Sequence, residues 1–140
     1  MRLYAVDAGP LVALLNERDM HHDWASATLD AIEPPLYTCE AVISEACYLV
    51  RRLPRGPQTV LSLVSKGLVV VDFHVDDEIA AVERLVAKYA SVPMSFADAC
   101  LVRMSELHPD VTIVTVDTDF TVYRRHGRDV IALLMPPNGV

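Results

Sequence analysis

Long hydrophobic runs, paired cysteines and a surplus of basic residues are all missing from this chain, and each absence closes off a class of protein. No apolar stretch approaches the roughly 20 residues that a membrane helix needs, so no membrane association is expected. The one apolar stretch near the N-terminus is interrupted by Asp7 and Pro10, and no small-residue cleavage site follows it. A signal peptide is therefore not expected, and the cytoplasm is the expected location. Cys39, Cys47 and Cys100 form no CxxC pair and no metal-finger spacing. Their odd number argues against a secreted disulfide scaffold, and their apolar neighbours predict three buried thiols. Lys and Arg number 12 against 19 Asp and Glu, a formal charge of −7. That balance argues against a protein that coats nucleic acid through a broad basic surface. It leaves room for chemistry on phosphodiesters, because carboxylates that hold a divalent cation make the free chain more acidic than the working one. No G-x-x-x-x-G-K-[ST] segment is present, which excludes a P-loop. Internal repeats, low-complexity segments and linkers are absent too.

What is present is a folded chain. Hydrophobic residues make up 52% and charged residues 22% of 140 positions, which predicts one domain over residues 1–140 with one core. Short β-rich runs alternate with helical stretches, the pattern of an α/β fold with a parallel sheet. Strands are expected at Leu3–Val6, Leu36–Thr38, Leu68–Val71, Val111–Val116 and Val130–Leu134. Between them, helices are expected from Pro10 to about Asn16, from His21 to Ile32, from Glu40 to Leu53 and from Gln58 to Ser65. Further helices are expected from Asp76 to Tyr89, from Ser95 to Leu107, and in a short piece ending near His126. Pro34-Pro35, Pro54 and Gly56-Pro57 supply the breaks.

Four acids stand out against this pattern. LYAVD and TIVTVD each deliver an Asp, Asp7 and Asp117, just past the carboxyl end of a buried strand. In open parallel sheets sites form at that edge, so neighbouring strands would bring both acids to one crevice. Glu45 and Asp98 lie in helices, flanked by apolar residues in VISEACYLV and SFADAC. Carboxylates are rarely buried without a partner, and no Arg or Lys stands three or four residues from either. A distant base, solvent or a cation remains. Each acid also has a purely structural reading. Asp7 could cap the helix at Pro10, and Asp117, Thr118 or Asp119 could cap the short helix that follows. Ser95 to Asp98 fits an S-x-x-D capping box, and Glu45 could be solvated. The functional case rests on the four acids together.

These residues resemble the PIN domains, most closely the VapC-type toxins of prokaryotic toxin–antitoxin pairs. The resemblance covers nearly the whole chain. It runs through VDAGPLVALL, Thr38-x-x-x-Val42-x-x-Glu45, Ser95-Phe96-Ala97-Asp98-Ala99 and Thr115-Val116-Asp117-Thr118-Asp119-Phe120. It implies a Rossmann-like sheet of five parallel strands in the order 3-2-1-4-5, flanked by helices. It implies metal-dependent endonuclease action on RNA, with Mg²⁺ or Mn²⁺ held by Asp7, Glu45, Asp98 and Asp117. Asp119 is either a supporting ligand or itself the fourth acid. It further implies a homodimer and inhibition by a cognate antitoxin protein. The alternative is a catalytically silent PIN domain that binds RNA or protein. One departure stands at Ala8, where the family usually has Thr or Ser after the first Asp, so a hydroxyl that could orient Asp7 is missing there.

The densest basic run, Tyr123-Arg124-Arg125-His126-Gly127-Arg128, follows the fourth acid. Arg124, Arg125 and Arg128 could bind RNA phosphates or an acidic antitoxin tail, or simply end a solvated helix. Arg51, Arg52 and Arg55 form a second basic patch with the same alternatives. His21-His22 reads as a surface pair at a helix start, and Trp24 as a packing residue. A haloacid-dehalogenase-type phosphatase needs D-x-D at the first strand, but here D-x-D comes late and no Lys follows Lys88. A receiver-type phosphoacceptor at Asp72 would need paired acids near Asp7 and the same late Lys.

Overall fold

The computed structural model describes residues 2–137; residue 1 and residues 138–140 of the expected domain lie outside the described residues. Four strands follow in chain order with helices between them. β1 (Leu3–Val6) leads into α1 (Ala8–Leu15) and α2 (His22–Ala31). β2 (Leu36–Thr38) leads into α3 (Glu40–Leu49) and α4 (Gly56–Ser65). β3 (Val69–Val71), a 3₁₀ turn at Val75–Glu78, α5 (Ile79–Lys88) and α6 (Phe96–Leu107) come next. β4 (Val111–Val114) is followed by a 3₁₀ turn at Thr118–Thr121 and three two-residue strands: β5 (Arg124–Arg125), β6 (Asp129–Val130) and β7 (Leu133–Leu134).

The main sheet is five-stranded in the order β3-β2-β1-β4-β7, and every pairing in it is parallel. This is the expected order 3-2-1-4-5, with β7 in the fifth place. β1 is central, and its register runs Leu3–Val111 to Val6–Val114. Central strands buried on both sides must be apolar throughout, and Ala5, Val6, Ile113 and Val114 are all fully buried. The core continues into the helices through Leu11, Val42, Val82 and Leu101.

Most elements fall where the pattern puts them, and the departures have local causes. α1 begins at Ala8 rather than Pro10, so Pro10 sits in the first turn, where its missing N–H is not needed. α3 stops at Leu49, four residues before the expected Leu53. Arg51 donates from Nη1 to the Tyr48 carbonyl at 2.8 Å and lies over the Tyr48 ring at 3.9 Å, closing the helix end. Leu53 cannot continue the helix because Pro54 follows it. α4 starts two residues early at Gly56, with Pro57 in its first turn. β3 lacks Leu68, and the Asp76 helix splits into the 3₁₀ turn and α5.

The largest correction is at the C-terminal end. The short helix expected to reach His126 is a single 3₁₀ turn, and the expected strand Val130–Leu134 is two separate pieces. β5 pairs antiparallel with β6 as a small ribbon, and only Leu133–Leu134 joins the main sheet. His126 and Gly127 both have positive φ, 52° and 78°, the Arg128 amide bonds the Arg125 carbonyl at 3.1 Å, and residues 126–128 make a tight hairpin loop between the paired Arg125 and Asp129. The basic run is thus a hairpin, not a helix end. Cys39 and Cys100 are buried as expected, whereas Cys47 is only half-buried; all three are free thiols. Trp24 packs against the core, and His22 Nδ1 lies 2.7 Å from the Ala13 carbonyl.

Candidate metal centre

The carboxyl edge of the sheet holds the acids. β1 delivers Asp7, whose amide still pairs with the Val114 carbonyl of β4 at 2.9 Å. Its side chain caps α1: Oδ1 accepts from the Ala8 amide at 2.8 Å. The second oxygen, Oδ2, accepts from the Thr115 hydroxyl at 2.6 Å. Thr115 is completely buried and follows β4 directly. It supplies from the neighbouring strand the hydroxyl that Ala8 lacks. Beside it, Thr38 at the end of β2 donates to the Val6 carbonyl at 2.8 Å, which stitches the strand bearing the Glu45 helix to the strand bearing Asp7. Gly9 lets α1 start this close to the edge. A Cβ there would lie 2.5 Å from Val116 Cγ2.

Asp98 is buried, on the first turn of α6. The capping pattern in the sequence is real: Ser95 Oγ accepts from the Asp98 amide at 3.0 Å. The carboxyl group has a second tie. Tyr123 donates its hydroxyl to Asp98 Oδ2 at 2.8 Å. Glu45, in mid-α3, is exposed, although its sequence neighbours are apolar. The acid expected to be starved of partners is thus open to solvent over much of its surface, although its carboxyl group still loses part of its water near Asp98 and Asp117. Asp117 caps the 3₁₀ turn at Thr118–Thr121, accepting from the Asp119 amide at 2.9 Å, and its own amide donates to Thr115 Oγ1 at 3.0 Å.

The acids act on one another. Burial is the main reason that Asp7 is pushed up to about 6; the Thr115 and Ala8 bonds pull it back, and the charges of Asp98 and Glu45 push it further up. Glu45 is raised by burial, then by Asp98 and Asp117. Asp98 is raised by burial and by Asp117, against the bonds from Tyr123 and Ser95. Tyr123 feels Asp119 as well as Asp98 and Asp117. No cation offsets the cluster: among the described residues the ion pairs are Arg103 with Glu78 and Glu106, and the exposed Arg128 with Asp129. Nor do three of the acids close into a ready-made cage among those residues. The donors are carboxylate oxygens, the ligand type that hard divalent cations such as Mg²⁺ take, one or two directly and the rest through water.

Thr115 and Tyr123 are the residues that sequence reading passed over. Thr115 stood in the T-x-D-x-D-F motif, but nothing in the pattern says that its hydroxyl reaches Asp7. Tyr123 carried no signal, because it meets Asp98 across 25 residues of chain. The arginines of the basic run are tied to the fold. Arg124 Nη1 donates to the carbonyls of Thr121, Val122 and Tyr123, and Arg125 Nε donates to that of Ser105 at 2.9 Å. Arg128 is exposed, with Asp129 as a loose neighbour at 3.8 Å.

Comparison with known proteins gives the fold a family. No curated protein sequence matches the chain. Among solved structures, the VapC20 toxin of Mycobacterium tuberculosis, described as cleaving the sarcin–ricin loop, superposes with a TM-score of 0.74 at 24% identity, over 85% of this chain and 93% of that one. At that identity the likeness speaks for the fold. The profile of the PIN domain matches residues 4–125, and the chain belongs to the PIN-domain family.

Proposed function

We propose that this protein is a divalent-metal-dependent endoribonuclease, the toxin of a type II toxin–antitoxin pair, folded as one domain over residues 1–140. The observation that carries the reading is a set of four mutually repelling carboxylates at the carboxyl edge of the sheet with no basic residue among them. The VapC20 toxin, described as cleaving the sarcin–ricin loop, supports RNA as the substrate class. Asp7, Glu45, Asp98 and Asp117 would hold Mg²⁺ or Mn²⁺. The coupling of Asp117 to Glu45 and Asp98 supports it over Asp119 as the fourth acid.

When bound, the ion lowers the pKa of water and offsets charge developing on the phosphate. The chain's own part is to hold the acids. Asp7 and Asp98 each keep one oxygen on a neutral hydroxyl, which orients the carboxylate without cancelling its charge. Glu45, exposed and on a separate helix, can move to meet substrate or ion. Arg128, its side chain 84% exposed, offers an open positive charge for RNA phosphate, and the donors that Arg124 and Arg125 do not spend on carbonyls would add to it.

A homodimer and a cognate antitoxin complete the proposal, with the cytoplasm as the place of action. An apolar groove of about 680 Å³, with none of the four acids in its lining, is walled by Leu11, Leu14, Leu29, Ile32 and Leu63. It suits a partner that presents an apolar helix face. Among the described residues no helix is long and apolar enough to cross a membrane.

The test is 5′-end mapping of total RNA, ribosomal RNA included, after incubation with purified protein and Mg²⁺ or Mn²⁺. New ends are expected that vanish with EDTA and with Asp98→Asn. Ends that persist in either control would sink the assignment. No new ends together with no Mn²⁺ binding would leave the binding-only PIN domain as the better reading.

A further inference from the structure

Asp98 stands at the third position of α6, where a carboxyl group has two ways to turn. It can fold back over its own helix end, where Ser95 already holds the Asp98 amide, or it can face the crevice beside Asp7. Ser95 draws the carboxyl group towards the helix end while its charge is felt by Asp7 across the crevice, so a contact from outside the helix decides how it is held. The Tyr123 hydroxyl is that contact, 2.8 Å from Oδ2. Tyr123 itself has little freedom. It is completely buried, and the rings of Tyr89 and Phe120 meet it edge-on at 5.1 and 5.2 Å. Edge-to-face neighbours on two sides set both the ring plane and the direction of the hydroxyl.

The surroundings of that ring are fastened in turn. The Tyr89 hydroxyl accepts from the Arg124 amide at 3.0 Å. The ribbon after Tyr123 is pinned to α6 by Arg125 on the Ser105 carbonyl and by the His126 amide on Glu106 at 2.7 Å. The helix that carries Asp98 and the ribbon that carries Tyr123 are therefore held as one piece. The donor is neutral, so it aims the carboxylate and leaves its charge for a cation.

We propose that Tyr123 is a positioning residue of the metal centre: its hydroxyl holds Asp98 Oδ2 and so presents the other carboxylate oxygen to the ion. The inference rests on the metal-dependent reading above. It also gives the basic ribbon a task apart from RNA, since Arg124 and Arg125 anchor the segment that aims Asp98.

Mn²⁺ affinity, measured by calorimetry without RNA, tests this directly. Tyr123→Phe keeps the ring and its stacking and removes only the hydroxyl. It is expected to weaken Mn²⁺ binding about 10- to 100-fold, as loss of an outer contact to a ligand does. Tyr89→Phe removes a hydroxyl of the same aromatic cluster that touches no acid and only accepts from the Arg124 amide, so it is expected to weaken Mn²⁺ binding clearly less than Tyr123→Phe does. Equal affinity for wild type and Tyr123→Phe would overturn the inference and leave the metal centre standing. An equal loss in Tyr89→Phe would assign the effect to packing and overturn it as well. Wild-type protein that binds Mn²⁺ no better than Asp98→Asn would remove the metal-dependent reading, and this inference with it. If Tyr123→Phe does not fold, proton NMR of the wild type decides. The Tyr123 hydroxyl proton stays protected from exchange when Mg²⁺ is added; its loss on binding would mean that Asp98 leaves the tyrosine to reach the ion.

Discussion

Asp7 is held by two good hydrogen bonds and is still pushed up to about 6. The bonds favour its charged form, and burial among like charges outweighs them. Between the ordinary value of 3.8 and about 6 the folded chain keeps a proton that the unfolded chain has released. The contribution is thus fully present at low pH and is lost as pH rises through that window, by about 3 kcal/mol in all. Urea unfolding of metal-free protein at pH 4 and pH 8 should show wild type losing stability relative to Asp7→Asn as pH rises. A difference that does not change with pH would mean that Asp7 titrates normally. Added Mg²⁺ should return much of the loss at pH 8, because an ion bound only by the folded chain stabilises it.

At the scale of elements, the site depends on how closely α1 approaches the loop after β4. Gly9 faces Val116, which stands between Thr115 and Asp117. Gly9→Ala should displace that β-branched side chain and cost about 1–3 kcal/mol, with a matching loss of Mn²⁺ affinity. Val116→Ala in the Gly9→Ala background should restore much of both, since it removes the colliding methyl. No rescue in the double variant would place the effect elsewhere. The same scale explains the misread C-terminal region. A short helix ending near His126 was expected there, but His126-Gly127 takes the positive-φ turn of a hairpin. Once the chain turns there, Arg124 and Arg125 spend donors on backbone carbonyls instead of standing free.

For the whole molecule, a net charge of −7 makes RNA binding a problem for the free chain. Like charges meet at the very edge where the scissile phosphate must sit. Binding of a nuclease-resistant RNA analogue should therefore require Mg²⁺ and fall at least about 10-fold in EDTA, a loss of about 1.4 kcal/mol. Binding that ignores EDTA would point to a basic surface apart from the acids. The five-stranded parallel architecture was legible because each strand is a short apolar run bounded by breakers. Val69–Val71 and Val111–Val114 need no tertiary information to be read as strands. The fifth strand was only half legible, because Val130 to Leu134 is uniformly apolar apart from its breaks in pairing, and pattern cannot say which two residues join the sheet.

The sequence by itself determined which four acids stand out and which two of them stand at strand ends. A strand end is a place that sequence can specify, whereas the strand order that brings Asp7 and Asp117 to one edge was implied by the family resemblance. The sequence also determined the Ser95 cap, since capping is local chemistry over three residues. Only the tertiary structure decided how the acids are held. Thr115 reaches Asp7 across 108 residues and Tyr123 reaches Asp98 across 25, and no periodicity encodes a contact between elements so far apart in the chain. It also decided that Glu45 faces solvent despite apolar neighbours, because a helix presents successive residues to different sides, and burial depends on what packs against each side.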